Sequence, residues 1–217
     1  MLKSIHILLS IAAALNYDIW QMDVKTAFLN GYLEESIYME QPEGFKSHDQ
    51  QQKVYKLLKS IYGLKQASMS WNLKFDETTK TYGFKQNIYE PCVYKLINNG
   101  SVVFVILYID DIFLIGNEIG NLSEVKNWIA EQFQMKYLGE VSYVLGIQII
   151  QDRKNKLLAL SQASYMDKVL AHFAMQNFKK GLLPTRHRVT LSTEQSPKTP
   201  QEQEDLRRIT YASGVGV

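Results

Sequence analysis

The run Val102 to Asn117, VVFVILYIDDIFLIGN, is apolar along almost its whole length, yet Asp110 and Asp111 stand side by side in its middle. The β-branched and aromatic residues on both sides of the pair are strand formers. A buried strand does not carry two adjacent carboxylates through a core, so the chain turns at the pair and the run is a hairpin with two buried arms. Two readings of the pair are open at this point. Asp is a favoured turn residue, so Asp110 and Asp111 form a solvated turn; or they supply a cation site, because neighbouring buried carboxylates repel unless a positive charge joins them. The turn lacks glycine, and its arms belong inside a sheet.

A third carboxylate bears on the choice. In YDIWQMDVK, Ile19, Gln21 and Asp23 alternate with Trp20, Met22 and Val24, the period of a strand, and Asp23 sits near its end. If this strand neighbours the hairpin, three carboxylates gather at one end of a sheet. Such an all-oxygen set suits magnesium or manganese. Two such ions about 4 Å apart serve phosphoryl transfer without a histidine base. His6, His48, His172 and His187 lie in no constellation, and neither a Ser/His/Asp arrangement nor a GxxxxGK[ST] phosphate loop occurs.

The rest of the chain reads as alternating helices and strands. Ile5, Leu8, Leu9, Ala12 and Leu15 form one helical stripe. That stripe favours a core helix over a signal peptide, and the apolar stretch is too short to span a bilayer. TAFLNG turns at Asn30-Gly31, SIYMEQPEGF is extended, and HDQQQK is a polar loop. Ala67, Trp71, Phe75 and Thr78 give a helical face that ends at Gly83. Asn99-Gly100 signals a tight hairpin turn. NLSEVKNWIAEQF is a helix with Asn121 as N-cap, Glu124 three residues on, and a face of Leu122, Val125, Ile129 and Phe133. Two strands follow around a polar turn at Asp152 to Lys156, and SQASYMDKVLAHFAM is a last amphipathic helix. The fold class is α+β with a largely antiparallel sheet. Beyond Lys179 the chain is polar, holds two prolines in STEQSPKTPQEQEDLRR and lacks an apolar period, so 179–217 is expected to be a linker or tail.

Composition sets limits without naming a function. With 46% hydrophobic residues among 217 a core is affordable, and a net charge of +2 is too small to argue for nucleic acid by itself. The charges are uneven: Glu34, Glu35, Glu40, Glu43 and Asp49 precede Lys53, Lys56, Lys59, Lys65, Lys74, Lys80 and Lys85. The single Cys92 allows no internal disulfide and places the chain by default in a reducing compartment.

Six blocks occur in order: QMDVKTAFLNGYLEESIYMEQPEGF, KLLKSIYGLKQASMSWN, EPCVYK, LYIDDIFLIGN, LGEVSYVLGIQI and LSQASYMDKVL. Together they resemble the reverse transcriptase of copia-type LTR retrotransposons over nearly the whole chain. The resemblance implies a polymerase palm with partial fingers and the start of a thumb over 1–178, and an RNA-directed DNA polymerase. Asp23, Asp110 and Asp111 match the family's catalytic carboxylates, which hold two magnesium (or manganese) ions. Phe28 matches the aromatic under the nucleotide sugar, and Tyr108 the residue beside the primer end. Gly63, Lys65 and Gln66 match the segment that meets template and incoming nucleotide. Leu145, Gly146 and Ile147 match the primer grip; without the family they read as strand core. The basic stretch would contact backbone phosphates, although a solvated lysine face is the more common explanation of such runs. The implied partners are an RNA or DNA template-primer, deoxynucleoside triphosphates, and the ribonuclease H and integrase of a polyprotein, with no membrane. The implied location is cytoplasmic, in a virus-like particle.

Two features depart from the family pattern. Met69 stands where an arginine is usual, which weakens a nucleic-acid contact. Against the family pattern, the fingers segment before Asp23 and the run toward ribonuclease H are expected to be missing from this sequence. A catalytically inactive remnant is therefore the alternative expectation. A metal-dependent nuclease is disfavoured, because Phe28 and the LGI segment would have no purpose in one.

Overall fold

The structure, a computed structural model, describes residues 2–45, 53–177, 192–193 and 196–207. The chain divides into two compact units, 1–160 and 161–217. The elements of the first unit run in this order: α1 (Leu2–Leu15), β1 (Asp18–Val24), a 3-10 turn (Ala27–Asn30), β2 (Tyr38–Glu40), β3 (Val54–Lys56) and α2 (Ala67–Tyr82). Then come β4 (Lys85–Gln86), β5 (Val93–Asn98), β6 (Ser101–Tyr108), β7 (Asp111–Gly116), α3 (Ile119–Gln132) and β8 (Met135–Glu140). β9 (Tyr143–Val144), β10 (Ile147–Asp152) and β11 (Leu157–Ser161) close the series.

Six strands form one antiparallel sheet in the order β4-β5-β6-β7-β1-β8. Its middle strands are apolar on both faces because both faces are covered. On one face Met22, Val24, Val105 and Leu114 pack against Trp71 and Phe75 of α2 and Leu122, Val125 and Ile129 of α3. On the other, Ile19, Ile106, Phe113 and Ile115 meet Ile5, Leu8, Leu9 and Ala12 of α1, with Val144 and Ile149 of the small sheet β11-β10-β9. Arg153 ion-pairs with the buried Asp18, tying the β10–β11 turn to the start of β1. The α+β class and its antiparallel sheet are as expected from the sequence.

Several local expectations change. The α1 stripe is buried from Ile5 to Ala12, but Leu15 is exposed, because the helix ends there and Asn16 takes a left-handed turn into β1. α3 starts a turn earlier than expected. Its N-cap is Glu118, in extended conformation, whose carbonyl accepts the Leu122 N–H; Asn121 lies inside the helix and donates to the Glu118 carboxylate. Leu145 and Gly146 are not strand core. Both have positive φ and form the two-residue turn between β9 and β10, the geometry of a type I′ hairpin. Asn99 and Gly100, both with positive φ, make the tight turn expected there. The HDQQQK loop lies largely outside the described residues, as do His48, Asp49 and His187.

In the second unit, α4 (Ala163–His172) is the expected last amphipathic helix. A further helix, α5 (Pro200–Arg207), stands where the polar composition led us to expect a tail. The reason is a capping box: Thr199 Oγ1 accepts the Glu202 N–H, the Glu202 carboxylate accepts the Thr199 N–H, and Pro200 starts the helix. Among the described residues no helix is long and apolar enough to cross a membrane.

Candidate active site

The register of the large sheet does what the sequence left conditional. β1 lies beside β7, and Asp23 is the direct cross-strand partner of Asp111. Asp111 is in turn paired with Tyr108 on β6, and Asp23 with Lys136 on β8. Cross-strand partners share a face, so Tyr108, Asp111, Asp23 and Lys136 form one row across four strands. Asp110 occupies the hairpin tip next to the row. Its carbonyl accepts the Val24 N–H at 2.8 Å, which ties the tip to the end of β1. Because side chains alternate along a strand, the row faces the α1 side of the sheet, away from α2 and α3.

The three carboxylates are half-buried and close enough to feel one another. Burial, then repulsion from Asp110 and Asp23, pushes the Asp111 carboxyl above its ordinary range; a hydrogen bond from Gln21 Nε2 to Asp111 Oδ1, at 2.8 Å, pulls the other way. A divalent cation would relieve that repulsion, and the all-oxygen donors suit a hard one. Among the described residues no three such side chains already stand grouped around one point. Closing a ligand set would therefore need side-chain rotation, with Asp111 Oδ1 already engaged by Gln21.

Phe28 lies in the 3-10 turn just after β1. Its ring is half-buried and packs against Tyr62, with centroids 4.7 Å apart. Ser60 Oγ donates to the Phe28 carbonyl and the Ser60 N–H to the Gly31 carbonyl. These contacts bring the Gly63, Lys65 and Gln66 segment up to the 3-10 turn. Gly63 has φ +96, a left-handed value that requires glycine in practice. Lys65 is exposed, and Gln66 is the N-cap residue of α2, its amide donating to Glu35. Leu145 and Ile147 instead line a small void with Ile5, His6 and Leu9 of α1.

Met69 is exposed and lines a cavity of about 260 Å³ with Glu34, Glu35 and Glu77, an acidic setting for the position. The basic stretch is dispersed over β3, α2, β4 and the loops between them. Lys59 and Lys74 lie over the Tyr32 ring and Lys80 pairs with Asp76, so part of the run is used within the protein.

Sequence reasoning missed four residues here. Gln21 was within reach: two residues before Asp23, it shares that face by strand period alone. Lys136, Tyr62 and Trp71 were not. They reach the site through β1–β8 pairing, an aromatic contact, and a hydrogen bond from Trp71 Nε1 to the Ile109 carbonyl at 2.6 Å.

Paired carboxylates at a hairpin tip, opposed by a third on the neighbouring strand, suit phosphoryl chemistry, and comparison with known proteins gives the class. Residues 1–187 match the family described as "Reverse transcriptase (RNA-dependent DNA polymerase)", and the chain belongs to that family. Within it, three relatives are Pol polyproteins of copia-type transposons. The chain is 40% identical over 216 residues to the "Retrovirus-related Pol polyprotein from transposon TNT 1-94" of Nicotiana tabacum, covering 99% of this chain and 16% of that protein. It is 33% identical over 201 residues to the "Retrovirus-related Pol polyprotein from transposon RE2" of Arabidopsis thaliana, covering 93% of this chain and 14% of that one. It is also 32% identical over 196 residues to the "Putative transposon Ty5-1 protein YCL074W" of Saccharomyces cerevisiae, covering 90% of this chain and 61% of that one. The chain thus spans about a sixth of the plant polyproteins it matches. No solved structure matches it.

Proposed function

We propose that this chain is the palm of a reverse transcriptase, with partial fingers and the start of the thumb, adding deoxynucleotides to a primer 3′-hydroxyl on an RNA or DNA template. The observation that carries the reading is the pairing of Asp23 with Asp111 across β1 and β7, with Asp110 next in the chain. Asp23, Asp110 and Asp111 would hold two magnesium or manganese ions. Those ions, when bound, stabilise the transferring phosphoryl group and lower the barrier to attack by the primer oxygen.

The chain's own residues do the rest. Phe28, packed against Tyr62, follows Asp23 by five residues and would crowd a 2′-hydroxyl. Tyr108 stands in the carboxylate row, where it would lie beside the primer end. Gly63, Lys65 and Gln66 would meet template and incoming nucleotide, and Lys136 adds a positive charge next to Asp23. The turn at Leu145 and Gly146, running into Ile147, would support the primer. In its polyprotein the domain would work with ribonuclease H and integrase, in a cytoplasmic virus-like particle.

Primer extension on an RNA template, with magnesium or manganese and an Asp110→Asn control, tests the reading. Extension by the wild-type chain is expected to fall at least about a hundred-fold in the control. Folded wild-type protein that extends nothing would sink the reading and leave an inactive remnant.

A further inference from the structure

Among the described residues, seven other than glycine have positive φ, and only two of them, Thr26 and Ile109, are β-branched. Both flank the candidate site. Thr26 lies between Asp23 and Phe28; Ile109 lies between Tyr108 and Asp110, with φ +57. A β-branched side chain is strained there, because its Cβ crowds the backbone. Ile109 occupies the first position of a two-residue hairpin loop, where glycine is the usual answer to a positive φ. Strain of this kind persists only where the surroundings over-determine it.

The surroundings at Ile109 are specific. Its carbonyl accepts the indole N–H of Trp71 at 2.6 Å, and the next carbonyl, of Asp110, accepts the Val24 N–H. Trp71 cannot easily move. It is fully buried, its ring meets Phe133 edge-on at 5.0 Å and Phe75 at 5.6 Å, and Gly31 presses on its backbone from the 3-10 turn. The indole sits on the helix side of the sheet, opposite the carboxylate row. It can therefore grip the hairpin tip from behind and leave the acidic face open.

The geometry points to Trp71 as the positioning residue that holds Ile109 in its left-handed conformation at the hairpin tip, and so sets Asp110 and Asp111 against Asp23. Its effect on rate rests on the proposed polymerase reading; its effect on the hairpin does not. Trp71→Phe keeps an aromatic ring but removes the donor. Ile109→Gly removes the strain that the donor opposes, since glycine takes a positive φ freely.

The test uses the full chain as wild type, Trp71→Phe, Ile109→Gly and the double variant. A fifth protein carries 3-benzothienylalanine at position 71, which keeps the bicyclic shape and lacks only the N–H; it covers the case in which the smaller ring does not fold. Hydrogen exchange of the peptide covering 104–113 and primer-extension kinetics are measured on each. Loss of the donor is expected to speed exchange at 109–111 about ten-fold or more while the other strands keep their protection. It should lower kcat about ten-fold, with the nucleotide KM changed less than about two-fold. In the Ile109→Gly background the same loss should change either quantity by less than about three-fold. Unchanged hairpin exchange in the benzothienylalanine protein, or an undiminished effect of Trp71→Phe beside Ile109→Gly, would overturn the inference. The expected exchange pattern in a chain that polymerises nothing would leave Trp71 in its role and overturn the polymerase reading instead.

Discussion

At the scale of single residues, the carboxylate row is built at a cost to stability. Burial, then repulsion from Asp110 and Asp23, raises the Asp111 proton affinity above that of a free carboxyl. The folded chain therefore binds this proton more tightly than the unfolded chain. The stability it contributes is complete below the unfolded pKa of about 3.9 and is lost as pH rises through the folded value. Asp111→Asn removes the charge and keeps Oδ1 as acceptor for Gln21. We expect the variant to be more stable than wild type at pH 7, by about 0.5 kcal/mol after allowing for the half-exposed site, or about 1–2 °C in Tm. The gap should close by about pH 3, where both side chains are neutral. Thermal melts across that range check it, and a wild type more stable than the variant at neutral pH would show that an unrecognised partner supports the charge. The sequence showed the Asp110–Asp111 repulsion but left the part from Asp23 conditional, because Asp23 and Asp111 are 88 positions apart and meet only through strand register.

At the scale of elements, periodicity identified the helices well. Ala67, Trp71, Phe75 and Thr78 are the buried face of α2, and Leu122, Val125, Ile129 and Phe133 that of the α3 region, because a stripe facing a sheet is a local pattern. Ends were harder. α3 begins at Ile119 because Glu118 is the residue still extended after β7, and α5 is held by its Thr199–Glu202 box without any stripe. Asn30-Gly31 was legible as a turn but not as a packing contact. A Cβ on Gly31 would lie 2.7–2.8 Å from the Ser70 backbone carbon, the Ser70 Cβ and the Trp71 nitrogen, where two of the three atoms are main chain and cannot rotate away. Gly31→Ala should therefore push the start of α2 from the 3-10 turn and cost about 1–3 kcal/mol in denaturant unfolding. An unchanged midpoint would mean that the two elements separate freely.

At the scale of the whole molecule, large apolar side chains remain in water. Ile88 and Tyr89 are each 91% exposed at one loop tip, and Leu58 is 75% exposed and Phe45 71%. Surfaces of this kind ask for a neighbour. The chain corresponds to about a sixth of its plant relatives, so we expect the isolated 25.0 kDa protein to self-associate at micromolar concentration, as read by light scattering after gel filtration. A monodisperse protein with one cooperative melt would contradict this. The sequence by itself determined the α+β class, the buried hairpin, the helix faces and the candidate carboxylates, because each is written in neighbouring residues at a strand or helix period. Only the tertiary structure decided that Asp23 stands opposite Asp111, that Lys136 and Tyr62 join the site, and that Trp71 reaches the Ile109 carbonyl. Those meetings depend on strand order and helix docking, which arise from the packing of two buried sheet faces and not from any local run of sequence.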